Sequence, residues 1–109
     1  ALLTIEPEIE QALVDGDRRP WLAAVIVPSA EARAAAASDE ALKLLIAETV
    51  ERANSRLSQI ERVRRFIIAD EGFTTENSQL TATLKVRRHV VRAQYQDRLA
   101  ALYTRGKQD

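Results

Sequence analysis

The stretch WLAAVIVP, residues 21–28, decides the fold of this chain. It is apolar on both of its alternating faces and rich in β-branched residues, which is typical of a strand at the centre of a sheet. Pro28 ends the strand, because proline has no N–H to donate to a neighbouring strand. A second apolar stretch, Ile9 to Val14, precedes it, and turn-forming residues fill positions 15–20. The two strands are therefore predicted to form a β-hairpin with a longer loop.

Helical patterns follow this hairpin. A short Ala-rich helix is predicted from Glu31 to Ala37. Ser38 is a suitable N-cap for a second helix, in which apolar residues recur with helical spacing. A third strand is predicted from Val63 to Ala69, and alternation along it places Arg64 on the face opposite Val63. The apolar residues of the second helix are Leu42, Leu45, Ile46, Val50, Ala53 and Leu57.

The C-terminal part is predicted to contain a polar loop and one helix. Residues 70–83 are polar, and Phe73 is expected to close this loop over the core. The last helix is predicted from Lys85 to Tyr103, with Tyr95 and Tyr103 as packing residues. Its other inward residues are predicted to be Val86, Val90, Leu99 and Leu102, and its outward residues Arg88, Arg92 and Asp97.

These elements predict one α+β domain over residues 1–109, in which a small three-stranded sheet, the hairpin plus a third strand, is covered by helices. A chain of this length suits a single core. Ala1 to Thr4 has the pattern of the end of a helix that begins upstream, and the chain contains no methionine. We therefore expect it to be a piece of a longer protein.

The composition excludes several classes of protein. The charges of the 16 basic and 16 acidic side chains cancel. Because no net positive charge attracts nucleic acid, we do not expect nucleic acid as a partner. The chain has no cysteine, which excludes disulfides and thiol nucleophiles. Its longest apolar run is far shorter than the roughly 20 residues of a membrane-spanning helix. Residues 60–109 carry ten basic and six acidic groups, net +4, which predicts a basic face.

The usual catalytic signatures are missing. Three scattered glycines exclude a glycine-rich phosphate loop, and a single histidine, His89, excludes a paired-histidine metal site. His89 is predicted to be a solvated helix residue. The sequence Asp15-Gly16-Asp17 lacks the remaining ligands of a calcium loop and is better explained as a hairpin turn. No metal site is predicted.

The informative stretch is NSQLTATLKVRR, residues 77–88. It places Lys85 where a polar, threonine-bearing loop meets the predicted last helix, directly before Arg87 and Arg88. Hydroxyl groups, a helix start and three cations favour an anionic ligand. The residues alone also allow Lys85 to be an ordinary solvated charge.

Residues 80–88, LTATLKVRR, resemble the L-T-P-T-L-K-x-(R/K)-R signature of long-chain acyl-CoA synthetases, which are adenylate-forming enzymes. Residues 7–22 and 25–28 resemble the hairpin of that family. Residues 66–68 and 73–74 resemble the strand and loop that lead to its lysine. The similarity covers most of the chain in the correct order.

The resemblance implies that the chain is the mobile C-terminal (lid) domain of a fatty-acid–CoA ligase, preceded by a hinge and a large domain. Lys85 would contact the acyl carboxylate and ATP phosphates during adenylation, and Thr83, Arg87 and Arg88 would bind substrate. The domain would then rotate for thioester formation. The implied cofactors are ATP, CoA and Mg²⁺, held mainly by the large domain. The implied partners are that domain and, at the interface, ATP, fatty acid and CoA.

Two departures and two alternatives accompany this interpretation. Ala82 stands where the family usually has proline, and Ser78 where glycine is common, which alters the loop. One alternative is a non-catalytic module that binds an acidic partner through its basic second half, with Arg64 and Arg88 as contacts. The other is the C-terminal domain of an adenylate-forming enzyme with a different acid substrate. We expect a cytoplasmic location, with peripheral membrane association through the missing part.

Overall fold

A computed structural model describes residues 2–16 and 18–108. Predictions for Ala1 and Asp17 lie outside the described residues. The strands are β1 (Ile9–Asp15), β2 (Leu22–Pro28) and β3 (Val63–Ile68). The α-helices are α1 (Ala30–Ala35), α2 (Asp39–Asn54), α3 (Arg88–Gln94) and α4 (Gln96–Gln108), and 3₁₀ turns cover Leu2–Ile5 and Gln59–Glu61.

The described strands form one sheet with β2 in the middle. β1 pairs with β2 in antiparallel fashion, with Leu13 opposite Val25. β3 pairs with β2 in parallel, with Ile67 opposite the same Val25. Because parallel neighbours require a crossover connection, α1 and α2 carry the chain from one strand to the other. The predicted α+β fold and its three-stranded sheet are confirmed.

β2 is buried on both faces, as predicted for a central strand. The side chains of residues 23–26 are completely inaccessible to solvent. Ala23 and Val25 belong to one hydrophobic core, and Ala24 and Ile26 to another on the opposite face. The first core also contains residues of α3 and α4, and the second contains residues of α1 and α2. None of the described helices is long and apolar enough to cross a bilayer.

Serine caps set where the crossover helices begin. Ser38 Oγ accepts a hydrogen bond from the Ala41 N–H (3.1 Å), which confirms the predicted cap. Ser29 Oγ accepts one from the Ala32 N–H (3.1 Å), so α1 starts earlier than predicted. α2 ends at Asn54, and Leu57 therefore lies beyond the helix to which the sequence assigned it.

The predicted last helix starts too early. α3 begins at Arg88; Arg87 before it is extended, and Val86 forms an isolated antiparallel bridge with Leu80. At the other end of the chain, Leu2–Ile5 is a 3₁₀ turn and not the end of an α-helix. In both places the residue types are compatible with an α-helix, but helix propensity is a weak preference that tertiary contacts override. A 3₁₀ turn forms at the start of the chain, and a hairpin forms before α3.

The last helix is also broken at Tyr95. The backbone of this residue (φ −112°, ψ 17°) leaves the helical range between α3 and α4. Its ring is buried, and its hydroxyl accepts a hydrogen bond from the Asp70 N–H (3.0 Å). The break lets α3 pack on β1 while α4 packs on β3.

Two side chains of this segment differ from the prediction. Val91 is fully buried, whereas Val90 is only half-buried. Arg92 does not point freely outward, because its Nε lies 3.0 Å from Asp15 Oδ1. The confirmed predictions are the buried side chains of Phe73, Tyr95, Leu99, Leu102 and Tyr103, and the exposed ones of Arg64, Arg88, His89 and Asp97.

The side chain of Asn54 joins the end of α2 to the start of β3. Its Nδ2 donates to the Val63 carbonyl (2.8 Å), and its Oδ1 accepts from the Val63 N–H (3.0 Å). Both hydrogen bonds are buried. Asn54 therefore completes the backbone pairing of Val63, in place of a neighbouring strand.

We expect Asn54→Ala to destabilise the chain by roughly 2–4 kcal/mol, because two buried backbone groups lose their partners. Denaturant-induced unfolding measures this loss. Gln94→Ala is the matched control, since it removes an exposed amide and should change stability by less than about 0.5 kcal/mol. Equal effects of the two substitutions would contradict the role of Asn54.

The carboxylate of Glu6 connects the segment before β1 to α2. It is only 4% exposed and accepts hydrogen bonds from Arg56 Nη2 and from Arg52 Nε (2.7 Å). Arg52 also donates to Glu8 (2.7 Å). The hydrogen bond from Arg56, followed by that from Arg52, lowers the pKa of Glu6 below its usual value of 4.5.

Acid should remove the stability that Glu6 contributes. Because its pKa is lowered in the folded chain, the unfolded state binds more protons below pH 4.5, and stability falls as the pH drops through the folded pKa. The free-energy difference between wild type and Glu6→Gln should therefore shrink with acidification. Denaturant unfolding between about pH 7 and pH 3 tests this. Glu76→Gln, at an exposed site, should retain the wild-type pH profile.

Candidate functional site

Lys85 lies on a short hairpin, residues 80–86, which we call the lysine hairpin. The bridge between Leu80 and Val86 closes its base. The Thr81 N–H donates to the Lys85 carbonyl (2.8 Å), and the Lys85 N–H donates to Thr81 Oγ1 (3.0 Å). Lys85 is thus held by its own backbone beside the tip of the hairpin and does not belong to a helix.

The tip of the lysine hairpin is a tight turn. The Leu84 N–H donates to the Thr81 carbonyl (2.9 Å), and Leu84 itself has a left-handed backbone with φ 65°. The hydroxyls of Thr81 and Thr83 lie 3.1 Å apart. The turn closes with Ala82 in the position where the family signature has proline, so proline is not needed to form it.

Asn77 organises the segment that leads into the lysine hairpin. Its Oδ1 accepts hydrogen bonds from the N–H groups of Thr74 and Gln79 (both 3.0 Å). Its Nδ2 donates to the Gly72 carbonyl (2.9 Å). Asn77 opens the stretch 77–88, and the local sequence predicts no specific role for it. The signal for one was its residue type, because asparagine readily satisfies nearby backbone groups in loops.

Gln11 anchors the same segment to the sheet. Its Nε2 donates to the Phe73 carbonyl (3.0 Å), and its Oε1 accepts from the Phe73 N–H (2.8 Å). This residue of β1 lies 62 positions away in the chain, and nothing in the local sequence indicates the contact. The lysine hairpin is therefore attached to β1 through a paired side-chain amide.

The two arginines after Lys85 contact the domain itself. The Arg87 N–H donates to the Gln79 carbonyl (2.8 Å), and its Nη1 donates to the Ser78 carbonyl (3.3 Å). Arg88 Nη2 donates to the Val14 carbonyl in β1 (2.7 Å). The structure thus brings Thr83 and Lys85 together at one end of the lysine hairpin, while Arg87 and Arg88 lie at its base.

The Lys85 side chain is exposed, and its amine has neither a hydrogen bond nor an ion pair within the described part of the chain. The polar side chains beside Lys85 in the hairpin are the hydroxyls of Thr81 and Thr83. Such a donor set fits the oxygens of a carboxylate or phosphate and does not fit a metal ion. Within residues 2–16 and 18–108, no cluster of three or more histidine, aspartate or glutamate side chains could hold a metal.

Apart from the lysine hairpin, the structure has a groove between the β1–β2 loop and the last two helices, which the sequence did not indicate. It is a groove of about 380 Å³ whose lining includes Arg19, His89 and Arg92. The Arg19 guanidinium stacks over the Tyr103 ring at 4.5 Å. Burial of Tyr103 raises the pKa of its hydroxyl, which donates to the Asp15 carbonyl (2.7 Å). The residues that line this groove do not include any of the lysine hairpin.

This chain is similar in sequence to ligases that act on long-chain fatty acids. The chain is 35% identical to the long-chain-fatty-acid–CoA ligase FadD15 of Mycobacterium tuberculosis over 94% of its own length and 20% of that protein. It is 34% identical to the chloroplastic long-chain-fatty-acid–[acyl-carrier-protein] ligase AEE15 of Arabidopsis thaliana, over 88% of this chain and 13% of the relative. The chain thus spans a fifth or less of these proteins.

A solved structure shares the fold. The adenylation domain of the carboxylic acid reductase from Segniliparus rugosus, in complex with AMP and a co-purified carboxylic acid, superposes with a TM-score of 0.84 at 35% identity. The match covers 96% of this chain and 17% of that one. Residues 1–107 also match the family described as the AMP-binding enzyme C-terminal domain. The chain therefore belongs to that family and is a C-terminal domain of the adenylate-forming enzyme superfamily.

Proposed function

We propose that this chain is the C-terminal domain of a long-chain fatty-acid–CoA ligase and supplies Lys85 to the step that forms the acyl-adenylate. The observation that carries this proposal is the Lys85 amine, which is exposed and unpaired among the described residues beside the tip of a hydrogen-bonded hairpin. The similarity to FadD15 and the acyl-CoA synthetase signature around Lys85 support the choice of activity.

The charge of Lys85 suits this reaction. When a carboxylate attacks the α-phosphate of ATP, two anions approach each other and negative charge builds up on the departing pyrophosphate. An ammonium group close to both offsets that charge. One unit pair at about 4 Å is worth about 4 kcal/mol at an effective dielectric constant near 20.

The residues present indicate which charges each domain would supply to the reaction. Mg²⁺ would reduce the charge of the ATP phosphates, and its ligands belong on the large domain because the donors around Lys85 do not fit a metal ion. The hairpin of this domain brings one cation to the reaction centre on a stiff backbone. Rotation of the domain would withdraw Lys85 and make room for CoA in the second step.

We expect Lys85→Ala in the intact parent enzyme to slow acyl-adenylate formation by roughly 10²–10³-fold, because a contact made chiefly in the transition state is lost. Thioester formation from supplied acyl-AMP should be largely spared. Pyrophosphate release and thioester release measure the two half-reactions separately.

Lys43→Ala is the matched control, since Lys43 is an exposed lysine on α2 and its loss should leave both rates near wild type. An equal loss of both half-reactions in Lys85→Ala would contradict the role given to Lys85.

A second candidate is an adenylate-forming enzyme with a different acid or a different acceptor. It is favoured by the similarity to an acyl-carrier-protein ligase and to a carboxylic acid reductase. The non-catalytic module gains less support, because Arg88 donates to Val14 and Arg64 stacks over the Trp21 ring at 5.5 Å.

The acceptor can be determined on the intact enzyme. We expect CoA to consume preformed long-chain acyl-AMP much faster than a phosphopantetheine-bearing carrier protein does, because the signature resembles that of CoA ligases. Release of AMP with each acceptor measures the preference. A faster reaction with the carrier protein would replace the CoA ligase by the second candidate.

A further inference from the structure

Leu84 is the residue whose conformation the domain itself does not explain. Among the described residues other than glycine, only Arg18, Ser78 and Leu84 have a positive φ, and two of these three flank the lysine hairpin or lie within it. Glycine or asparagine adopts a left-handed backbone easily, whereas a bulky side chain is strained there. Strain of this kind persists where the surroundings or the function require it.

The side chain of Leu84 is not buried in this domain. It is 70% exposed and belongs to neither hydrophobic core. Packing within the described structure therefore does not compensate for the strained backbone. The other large exposed apolar side chains, those of Ile5, Leu44 and Ile60, do not share the positive φ. Arg18 and Ser78 are also exposed, so what distinguishes Leu84 among the described residues is a positive φ at an exposed, large apolar side chain.

Leu84 and Lys85 are held together as one unit. The Leu84 N–H is bonded to the Thr81 carbonyl, and both backbone groups of Lys85 are bonded to Thr81 as well. A contact made by Leu84 at the tip would therefore set the position of the whole hairpin. Fixing the Leu84 side chain in a recess would also fix the point from which the Lys85 amine reaches out.

We propose that Leu84 is a positioning residue that inserts into an apolar recess of the enzyme's own large domain and thereby places Lys85 for adenylation. This inference rests on the proposed function. The large domain is the expected occupant because this chain matches a C-terminal domain and covers only 17% of the Segniliparus rugosus adenylation-domain chain, so most of such a protein lies outside this chain and is available for docking. An exposed leucine gains free energy when it leaves water for such a recess.

The test uses the intact parent enzyme and three substitutions at one position. Leu84→Asn tolerates the left-handed backbone but removes the apolar side chain, and Leu84→Gly also removes the strain. Leu84→Met keeps an apolar side chain of similar size. Ile60→Asn is the matched control, because Ile60 is 87% exposed and distant in sequence from the lysine hairpin.

Single-turnover adenylation and thioester formation from supplied acyl-AMP are measured for each variant. Docking is followed by hydrogen exchange of the Ala82 and Thr83 amides, with and without a fatty acid and a non-hydrolysable ATP analogue. We expect Leu84→Asn and Leu84→Gly to lower the adenylation rate by roughly ten- to one-hundred-fold, as when a buried leucine contact is lost. Both should lose the ligand-induced protection and keep the thioester step and the melting temperature.

Leu84→Met should stay within about threefold of wild type, and Ile60→Asn should not change either rate. Wild-type adenylation and protection in Leu84→Asn would overturn the docking role, while a loss in Lys85→Ala would leave the proposed function standing. Full activity of Lys85→Ala together with lost protection in Leu84→Asn would overturn the proposed function and leave the docking of Leu84 standing. Equal loss of both half-reactions with a lowered melting temperature in Leu84→Asn would also overturn the proposal, because it indicates a purely structural effect.

Discussion

The burial of β2 on both faces is the constraint on which the rest of the structure depends. A strand with no solvent-facing side requires a strand at each edge and a helical layer above and below. β1 and β3 supply the edges, α1 and α2 cover one face, and α3 and α4 cover the other. This arrangement makes the small sheet a buried support to which the loop before α3 is attached through Gln11.

Apolar packing and polar groups together hold the lysine hairpin to that support. Leu80 and Val86 at its base pack against the core that contains the buried Phe73. Gln11 pairs with both backbone groups of Phe73, and Asn77 satisfies several N–H and carbonyl groups of the next residues. Directional hydrogen bonds define a loop geometry while leaving its tip in water, which apolar burial does not do. This explains how an exposed lysine is held in a defined place while its side chain stays available to a ligand.

The candidate site was only partly predictable. Lys85 and the threonine-rich stretch around it could be identified from residue types and from the resemblance to a family signature. The residues from 85 onward are compatible with a helix, so the sequence predicts that the last helix begins at Lys85. The bridge of Val86 with Leu80 instead makes this segment part of a hairpin. The roles of Asn77 and Leu84 depend on backbone conformation, which residue type alone does not reveal.

The amino-acid sequence by itself determined the central strand, the hairpin and the serine-capped helix that follows, because each has a strong local pattern of apolar residues and caps. It also determined that a lysine follows a threonine-rich loop. Tertiary structure decided where the last helix begins and breaks, since Tyr95 is placed by its burial and by its bond to Asp70. It also decided that Lys85 lies in a hairpin and not in a helix. Contacts such as that of Gln11 with Phe73 join residues far apart in the chain, and no local pattern encodes them.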